Sequence, residues 1–521
     1  MSGDFPDFRQ AWPDFERVAD RVRATAAEAP DRIAVIDGER RMTYREFDAA
    51  IDRVAAALQR DAVQPRETVA ICAASSFEYV AAFFGALRVG VAVAPLAPSA
   101  TAKSLAEMTR DCEARVLFLD ATTEAALIDV EAGLPRVALD GQARGARLVD
   151  WLAPQGARPA SVEVAPEWVF NTIYSSGTTG APKGIDQSHA MRWGHMRRAR
   201  QFGYGPHSIA LLSTPLYSNT TLVSLIPALA MGGAVALMRK FEARAFLALA
   251  ERVRATHAML VPVQYRRIMA SPDFDAFDLA SFQMKFSTSA PFSAELKRDV
   301  LKRWPGGLIE IYGMTEGGGS CLLPAHLFPD KLHTVGRPAE GHEIRLIDEE
   351  GREVARGEAG EIVGRSGAMM EGYRKRPDAT RAAEWLDADG RRFIRTGDVG
   401  RFDEDGFLIL MDRRKDMIIS GGFNIYPSDL EAVLAERMEI AEAAVVGVPS
   451  AEWGETPVAF VALKIGAALD AGELRDWTNA RLGKTQKLAA VRFVDALPRS
   501  AIGKVLKREL REAWAAGRWG R

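Results

Sequence analysis

Hydrophobic and polar positions alternate along most of the chain in a way that predicts strands separated by helices. Thr43 and Glu46 fit a helix-capping box, and apolar residues follow at helical spacing over residues 47–58. Short uninterrupted apolar runs, such as residues 116–119, predict buried strands. Because strands that alternate with helices pair mainly in parallel, the pattern predicts an α/β fold.

The pattern changes near residue 344, where shorter strands and hairpin signals begin. Turn dipeptides stand at Glu350-Gly351 and Asp405-Gly406, each beside apolar runs. Beyond Arg414 mixed strands and helices return, with helices predicted over residues 427–437 and 473–482. We therefore expect a large α/β body followed by a small α+β region of about a hundred residues.

Composition narrows the class of protein. The chain has 521 residues, a length that favours two to four domains. It has 67 Lys and Arg against 69 Asp and Glu, a net charge of -2, and this balance favours neither nucleic acid nor an acidic membrane as a partner. Hydrophobic residues at 48% exclude a disordered chain. Cys72, Cys112 and Cys321 lie far apart without metal-ligand spacing, which excludes a disulfide scaffold or zinc ribbon and suits a reducing compartment.

The chain shows no targeting signal, and we predict a cytoplasmic protein. Its first ten residues lack the basic start and apolar run of a signal peptide. Residues 220–238 carry no charge, but Pro227 and the pair Gly232-Gly233 interrupt them. A helix or strand in a protein core is therefore expected there, rather than a membrane span.

The most informative segment is residues 172–184, TIYSSGTTGAPKG. A strand is predicted before it and a helix over residues 187–202, so we expect a strand–loop–helix unit. Its glycines allow close approach to a ligand, while its hydroxyls and Lys183 offer hydrogen bonds to phosphate oxygens. A glycine follows Lys183, so the segment is not a Walker A loop. From the residues alone, a surface loop remains the alternative.

A second segment follows the apolar run at residues 308–311 and therefore lies at a strand end, where α/β sheets bind ligands. Within it, Tyr312 offers a ring for stacking on a base and Thr315 offers a hydroxyl to phosphate. Glu316 offers a carboxylate to Mg²⁺ beside a triphosphate. A glycine-rich turn with one solvated glutamate is the alternative.

Three further segments give only weak evidence of function when each is taken alone. Asp398 lies in a tight turn and could accept hydrogen bonds from a ribose diol. Residues 412–416 alternate in charge, as solvated linkers do, and residues 498–504 end on Lys504 before an amphipathic helix.

Together, in this order, the five segments resemble the adenylate-forming superfamily, most closely its acyl-CoA ligases. The resemblance covers residues 30–507, nearly the whole chain. It implies an N-terminal domain, residues 1–412, with mostly parallel sheets and a small β-barrel-like part, and a mobile C-terminal domain, residues 413–521. It also implies that ATP and a carboxylic acid, with Mg²⁺, form acyl-AMP and pyrophosphate, and that coenzyme A then displaces AMP.

The resemblance assigns roles to individual residues. The β- and γ-phosphate loop would comprise Ser175, Ser176, Gly177, Thr178, Thr179, Gly180 and Lys183. The adenine and ribose sites would comprise Tyr312, Ser289, Ala290, Pro291, Asp398 and Arg413. The reacting groups would meet Thr315, Glu316 as the magnesium ligand, and Lys504. Lys415 would be the hinge, and Gly422 would line the thiol tunnel.

One departure concerns the acyl site. Many members of the family have an aromatic residue followed by a histidine at this site. Here the aromatic residue is Tyr217, and Ser218 stands in the place of the histidine. Gly317 and Gly318 carry no side chains near this region, so we expect an open acyl pocket for a medium-chain fatty or aryl acid. Transfer to a carrier protein and a luciferase-like reaction remain alternatives, and a homodimer is left open.

Overall fold

The computed structural model describes residues 12–130, 133–175, 182–413, 416, 418–420, 423–425, 427–450, 453–482, 487–499 and 505–518. Their α-helices are α1 Val18–Glu28, α2 Tyr44–Arg60, α3 Phe77–Arg88, α4 Ala102–Asp111, α5 Leu148–Trp151, α6 His189–Ala199, α7 Asn219–Ala230, α8 Ala243–Val253, α9 Pro262–Met269, α10 Ala294–Arg303, α11 Pro377–Ala382, α12 Pro427–Ala435, α13 Ala471–Arg481 and α14 Lys507–Ala515. Short 3₁₀ turns occupy Glu124–Leu127, Arg200–Phe202, Phe274–Ala276 and Pro329–Lys331.

The strands up to the middle of the chain are β1 Ile33–Asp37, β2 Arg40–Thr43, β3 Thr68–Cys72, β4 Ala92–Pro95, β5 Ala114–Leu119, β6 Arg136–Ala138, β7 Ala146–Arg147, β8 Val169–Ser175, β9 Lys183–Ser188, β10 Ile209–Leu212, β11 Ala234–Leu237, β12 His257–Leu260 and β13 Met284–Ser287. The later strands are β14 Gly307–Gly313, β15 Ser320–Pro324, β16 Arg337–Pro338, β17 Glu343–Ile347, β18 Gly360–Arg365, β19 Glu384–Leu386, β20 Arg392–Phe402, β21 Leu408–Arg413, β22 Ile418–Ser420, β23 Phe423–Ile425, β24 Ile440–Ser450, β25 Gly454–Leu463 and β26 Ala490–Phe493.

The chain divides into two compact units. The first comprises residues 1–333, 338–343 and 365–394, and the second comprises residues 334–337, 344–364 and 395–521. The predicted α/β class is confirmed, with a large N-terminal region of mostly parallel sheets and a smaller C-terminal region. The predicted boundary between residues 412 and 413 remains a prediction.

Two sheets organise the first unit. One has the strand order β16-β15-β14-β13-β12-β10-β11-β1-β2, and the other β7-β6-β5-β3-β4-β8-β9. Pairing is parallel from β14 through β1, and again from β7 through β8. Antiparallel strands close the edges, β9 on β8 and β2 on β1. Because the parallel strands are apolar along their length, helices can cover both faces of such sheets.

The second unit takes its strands from two sheets. One sheet has β17, β18, β20 and β21 in that order, with β21 antiparallel to β20, while β19 of the first unit pairs antiparallel with residues 392–394 of β20. The other has the order β23-β22-β25-β24, with β26 beside β25. Along β24 and β25 the side chains alternate between two apolar clusters, so Val445 and Val461 lie in one cluster while Val446 and Phe460 lie in the other.

Local sequence signals account for several element ends. Thr43 caps α2 in a full capping box, because its hydroxyl accepts from the Glu46 amide while the Glu46 carboxylate accepts from the Thr43 amide. The uncharged residues 220–238 form most of α7 and the buried strand β11. No helix in the described part of the chain is long and apolar enough to cross a membrane.

The first motif differs from its predicted strand–loop–helix form. Strand β9 lies between the loop and α6, and it pairs antiparallel with β8. The sequence KGIDQS has no strong alternation of apolar and polar residues, so its strand character comes from hydrogen bonding to β8 rather than from its own pattern.

Candidate active site

Strands β8 and β9 hold the base of the predicted phosphate loop. Ser175 ends β8, Lys183 begins β9, and the two residues pair directly across the antiparallel ladder. Ser176, Gly177, Thr178, Thr179 and Gly180 lie outside the described residues. The lysine of the motif is thus placed by a strand pairing rather than by a helix.

Tyr373 links the first and second motifs. Its hydroxyl donates to Glu316 Oε1 at 2.9 Å, and the Lys183 ammonium nitrogen lies 5.2 Å from its ring centroid. Burial, followed by the charge of Glu316, raises the pKa of Tyr373, so its hydroxyl keeps its proton and remains a donor. The two motifs, more than a hundred residues apart in sequence, therefore meet at one site.

Hydrogen bonds to the backbone hold the loop that carries Thr315 and Glu316. The Gln187 side-chain amide donates to the Thr315 carbonyl at 2.8 Å, and the Met370 amide donates to the Glu316 carbonyl at 2.9 Å. The Ser366 hydroxyl donates to the Gly317 carbonyl at 2.7 Å. A loop bonded at three successive carbonyls can present the Glu316 carboxylate in one direction.

The structure explains why residue 317 is glycine. Its φ of 76° lies in the left-handed region, which favours glycine, and a Cβ there would lie 1.9 Å from the Ala368 carbonyl oxygen. The Met191 methyl group would lie 2.8 Å from the same Cβ. Close packing against residues 191 and 368 thus requires the glycine, and Gly318 beside it is buried.

The predicted adenine site lies at the ends of two adjacent parallel strands. Tyr312 is half-buried near the end of β14, and residues 289–291 follow the end of neighbouring β13. Ser289 adopts a φ of 77°, and its hydroxyl bonds that of Thr220 at 2.8 Å. Since carboxyl ends of adjacent parallel strands share one edge, this placement suits a bound ligand.

The two polar residues of the predicted acyl site lie at the start of α7. Ser218 is buried and caps this helix, accepting from the Thr220 amide at 3.3 Å. Burial raises the pKa of half-buried Tyr217, against the opposing effect of a hydrogen bond with Ser99. Ser218 therefore has a clear structural role at the position where many relatives have histidine.

In the second unit, the structure pairs the two predicted ribose residues. Asp398 of β20 and Arg413 of β21 are direct partners in the antiparallel ladder. The Asp398 amide donates to the Thr396 hydroxyl at 3.0 Å, across Gly397, whose φ of 71° lies in the left-handed region.

Three predicted residues, Lys415, Gly422 and Lys504, lie outside the described residues. The chain on either side of Lys504 is described, however. Arg499 and Val505 form a β-bridge, and the Leu506 amide donates to the Pro498 carbonyl at 2.8 Å. The two flanking segments therefore run antiparallel to each other.

Sequence reasoning missed Tyr373, Gln187 and Ser366. None stands in a motif, and each acts through a contact between residues distant in sequence. Parallel sheets that carry Tyr312 and Glu316 beyond the end of one strand, with Tyr373 between Glu316 and Lys183, fit a nucleotide-dependent ligase of the adenylate-forming class.

Comparison with known proteins agrees with that class. A family model described as AMP-binding enzyme matches residues 22–374, and one described as AMP-binding enzyme C-terminal domain matches residues 429–504. The chain belongs to this family. The prediction of an AMP-forming acid–thiol ligase of the adenylate-forming superfamily is confirmed.

Individual relatives span nearly the whole chain. An indoleacetate–CoA ligase of Aromatoleum aromaticum is 33% identical, over 93% of this chain and 95% of its own. A fatty acid–[acyl-carrier-protein] ligase of Streptomyces coeruleorubidus is 30% identical, over 98% of each chain. The solved structure of the o-succinylbenzoate CoA synthetase of Bacillus subtilis, in complex with its acyl-adenylate, is 27% identical, with a TM-score of 0.82 over 96% of this chain and 99% of that one.

Proposed function

We propose that this chain is an ATP-dependent acyl-CoA ligase that activates a medium-chain fatty or aryl acid. The observation that carries the proposal is the contact chain from Lys183 through Tyr373 to Glu316, because it joins a phosphate-loop cation to a carboxylate suited to a metal. The names of the relatives support the acid class, since they include an arylacetate, a fatty acid and a succinylbenzoate.

The first half-reaction joins the acid to AMP. A carboxylate oxygen attacks the α-phosphorus of ATP, the bond to the bridging oxygen breaks, and pyrophosphate leaves with the electron pair. Both reactants are anionic, so cations are needed where they meet, and we assign this role to Lys183 at the outer phosphates and Lys504 at the carboxylate. Tyr312 and Asp398 would hold the adenosine, which fixes the direction of attack.

The residues present fit Mg²⁺. Glu316 offers a hard oxygen ligand, and the described residues contain no cluster of three or more His, Cys, Asp or Glu side chains. A magnesium ion bound with ATP takes most of its ligands from phosphates and water, so one glutamate is enough. Once bound, the ion would neutralise charge on the phosphates. Tyr373 would hold the Glu316 carboxylate in place.

The second half-reaction transfers the acyl group. The thiol sulfur of coenzyme A attacks the acyl carbon, AMP leaves, and the thiol proton passes to solvent. Lys504 would obstruct this approach, so we assign Lys415 as the hinge that moves it away and brings Gly422 to the thiol path. Residence in the cytoplasm and a homodimer remain predictions.

An acid panel tests the proposal directly. Acid-dependent exchange of pyrophosphate into ATP should be strong for aryl or medium-chain acids and weak for acetate, and coenzyme A should convert the product to thioester. Tight, saturable use of acetate with no gain from longer or aryl acids would contradict the proposed acid class. Acyl-AMP that transfers only to a carrier protein would favour the carrier reaction instead.

Variants test the assigned roles. Lys504→Ala should lower pyrophosphate exchange by about 10²–10³, the effect of removing one donor to the transition state, while thioester formation from synthetic acyl-AMP stays largely intact. Equal loss in both halves would contradict the assignment. Asp398→Ala should raise the KM for ATP, and an unchanged KM would argue against a ribose contact.

Tyr373→Phe isolates the contact that carries the proposal. It retains the ring beside Lys183 but removes the hydrogen bond to Glu316. The Mg²⁺ concentration for half-maximal rate should therefore rise at least about tenfold, as for the loss of a charged hydrogen bond of about 1.5–3 kcal/mol. Tyr265→Phe is the matched control, since Tyr265 donates to the Phe286 carbonyl at the same 2.9 Å. An unchanged Mg²⁺ requirement in Tyr373→Phe would remove the main support for the site.

A further inference from the structure

Residues 366–376, which follow β18, contact both motifs of the proposed ATP site. Their donors reach backbone carbonyls on two separate stretches of chain, those of Glu316 and Gly317 on one side and those of Pro182 and Gly184 on the other. We call these residues the bridging segment. Because it bonds the carboxylate motif and the base of the phosphate loop at once, its own position sets the distance between them.

One end of the bridging segment lies at the edge of the sheet, beside β9. Tyr373 and Ile185 form an antiparallel β-bridge, and the Arg374 amide donates to the Gly184 carbonyl at 2.8 Å. The packing is close as well, since a Cβ at Gly184 would lie 3.3 Å from the Arg374 Cβ. Lys183 directly precedes these contacts, so its position on β9 follows that of the segment.

The Arg374 side chain ties this end to α4, and 17% of it is exposed. Its Nε donates to the carbonyl of Asp111, the last residue of α4, at 3.0 Å. Its Nη1 and Nη2 each donate to a carboxylate at 3.3 Å, Asp186 on β9 and Glu113 after α4. The Tyr174 hydroxyl of β8 donates to the Asp111 carboxylate at 2.7 Å. The end of α4 thus holds β8 through Tyr174 and β9 through Arg374.

Arg392, the first residue of β20, holds the other end of the bridging segment. Its two terminal nitrogens each lie 3.1 Å from the Met370 carbonyl oxygen, and its Nε donates to the Glu384 carboxylate at 2.6 Å. The Met370 amide in turn donates to the Glu316 carbonyl at 2.9 Å. A planar guanidinium that bonds one carbonyl twice fixes its direction, so Arg392 holds the residue that holds Glu316.

We propose that Arg374 and Arg392 are positioning residues for the first half-reaction, which together set the distance between Lys183 and Glu316. Arg374 fixes Lys183 for the outer phosphates, and Arg392 fixes Glu316 for magnesium. Each guanidinium is paired with a protein carboxylate, so each acts on ATP through the backbone that it holds. This inference rests on the proposed function and extends it from the groups that contact ATP to those that place them.

The two arginines should affect different measured quantities. Arg374→Met frees β9 from α4, and a displacement of roughly 1 Å can cost about 10²-fold in rate, so the KM for ATP at saturating Mg²⁺ should rise about tenfold or more. Arg392→Met should instead raise the Mg²⁺ concentration for half-maximal rate by about tenfold. Each variant should change the other quantity by less than about threefold.

The experiment measures pyrophosphate exchange over ranges of ATP and Mg²⁺, and separately measures thioester formation from synthetic acyl-AMP and coenzyme A. The second reaction uses neither the outer phosphates nor magnesium, so both variants should keep its rate within about twofold of the wild type. A fold that is merely weakened would slow both reactions together.

Two further variants complete the set. Arg374→Lys retains a cation beside Asp186 but has a single nitrogen, so its KM for ATP should lie between those of the wild type and Arg374→Met. Arg303→Met is the matched control, because Arg303 is 27% exposed, donates to the Met269 carbonyl at 3.0 Å and pairs with Asp275 at 3.2 Å. It should leave both quantities unchanged.

The outcomes separate this inference from the proposed function. Equal losses in the two reactions, or shifts in KM and Mg²⁺ requirement that do not differ between Arg374→Met and Arg392→Met, overturn the inference and leave the ligase proposal standing. A wild type that supports no exchange with any acid overturns the proposed function itself. If Arg374→Met does not fold, Arg374→Lys and Arg392→Met decide by the same two measurements.

Discussion

Two buried arginines of the first unit show opposite ways to place a cation in a protein core. Arg88, at the end of α3, is 4% exposed and lies 2.6 Å from an oxygen of Asp48 and 2.9 Å from one of Asp52. Arg192, on α6, is 1% exposed, and its described partners are neutral: the amides of Asn171 and Gln187, and the Phe170 ring, whose centroid lies 5.9 Å from the guanidinium carbon. Each guanidinium has one nitrogen without a described partner, so the difference lies in charge.

The difference lies in how each buried charge is compensated. Two carboxylates balance Arg88, which ties α3 to α2 and, through the Ala19 carbonyl, to α1. Neutral amides hold Arg192 in position but leave its charge uncompensated. A buried cation of the second kind raises the free energy of the folded protein, because no opposite charge offsets its loss of hydration.

The largest effect is expected where the charge is balanced. Arg88→Met should reduce the free energy of unfolding by about 3 kcal/mol, because it leaves buried Asp52 and half-buried Asp48 with only the more exposed Arg23 as a partner. Denaturant unfolding measures this loss. Arg45→Met is the control: its pair with Asp31 is exposed, so the loss should stay under about 1 kcal/mol. Equal losses in both variants would contradict the structural role of Arg88.

A buried histidine extends the comparison of buried cationic side chains, because it can lose its proton and become neutral, whereas arginine stays charged. His257 is fully buried, with the Thr256 hydroxyl at Nδ1 and the Phe202 carbonyl at Nε2, and burial lowers its pKa from 6.5 to about 4. At a pH between these two pKa values, His257 is therefore protonated in the unfolded chain but neutral in the folded protein. Stability from this group is complete above pH 6.5 and is lost as pH falls towards 4.

The loss from His257 should be about 2 kcal/mol at pH 5 relative to pH 7. The measurement compares how far the free energy of unfolding falls from pH 7 to pH 5 in the wild type and in His257→Gln. The wild type should lose more, by this amount. His207→Gln, which replaces an exposed histidine, is the control and should follow the wild type. A His257→Gln profile identical to the wild type would show that this histidine is charged when folded.

The smallest effect on stability is expected at Arg192. Arg192→Met removes two hydrogen bonds to amides but also removes an unbalanced buried charge, so the free energy of unfolding should change by no more than about 1–2 kcal/mol. Denaturant unfolding beside Arg88→Met tests this. A loss as large as that of Arg88→Met would mean that Arg192 is compensated in the folded protein, and the comparison would then fail.

The sequence predicted much of the fold because short-range signals agree with it. The capping box at Thr43 and the apolar strand around Val116 depend on neighbours in the chain, and both were found as predicted. Strand β9 was missed, since its residues become a strand only by pairing with β8. The five motifs identified the family because each is a contiguous run whose chemistry is readable without coordinates.

What the sequence alone determined is the reaction class, the α/β architecture and the order of the motifs. Only tertiary structure brought Tyr373 to Glu316, set Asp398 opposite Arg413, and showed that Gly317 packs against Ala368. It also buried Arg192 without an ion pair to any described carboxylate, although the whole chain has nearly equal numbers of acidic and basic residues. Composition counts charges, whereas folding decides which of them meet, and the energy of a charge depends on its neighbours and its burial.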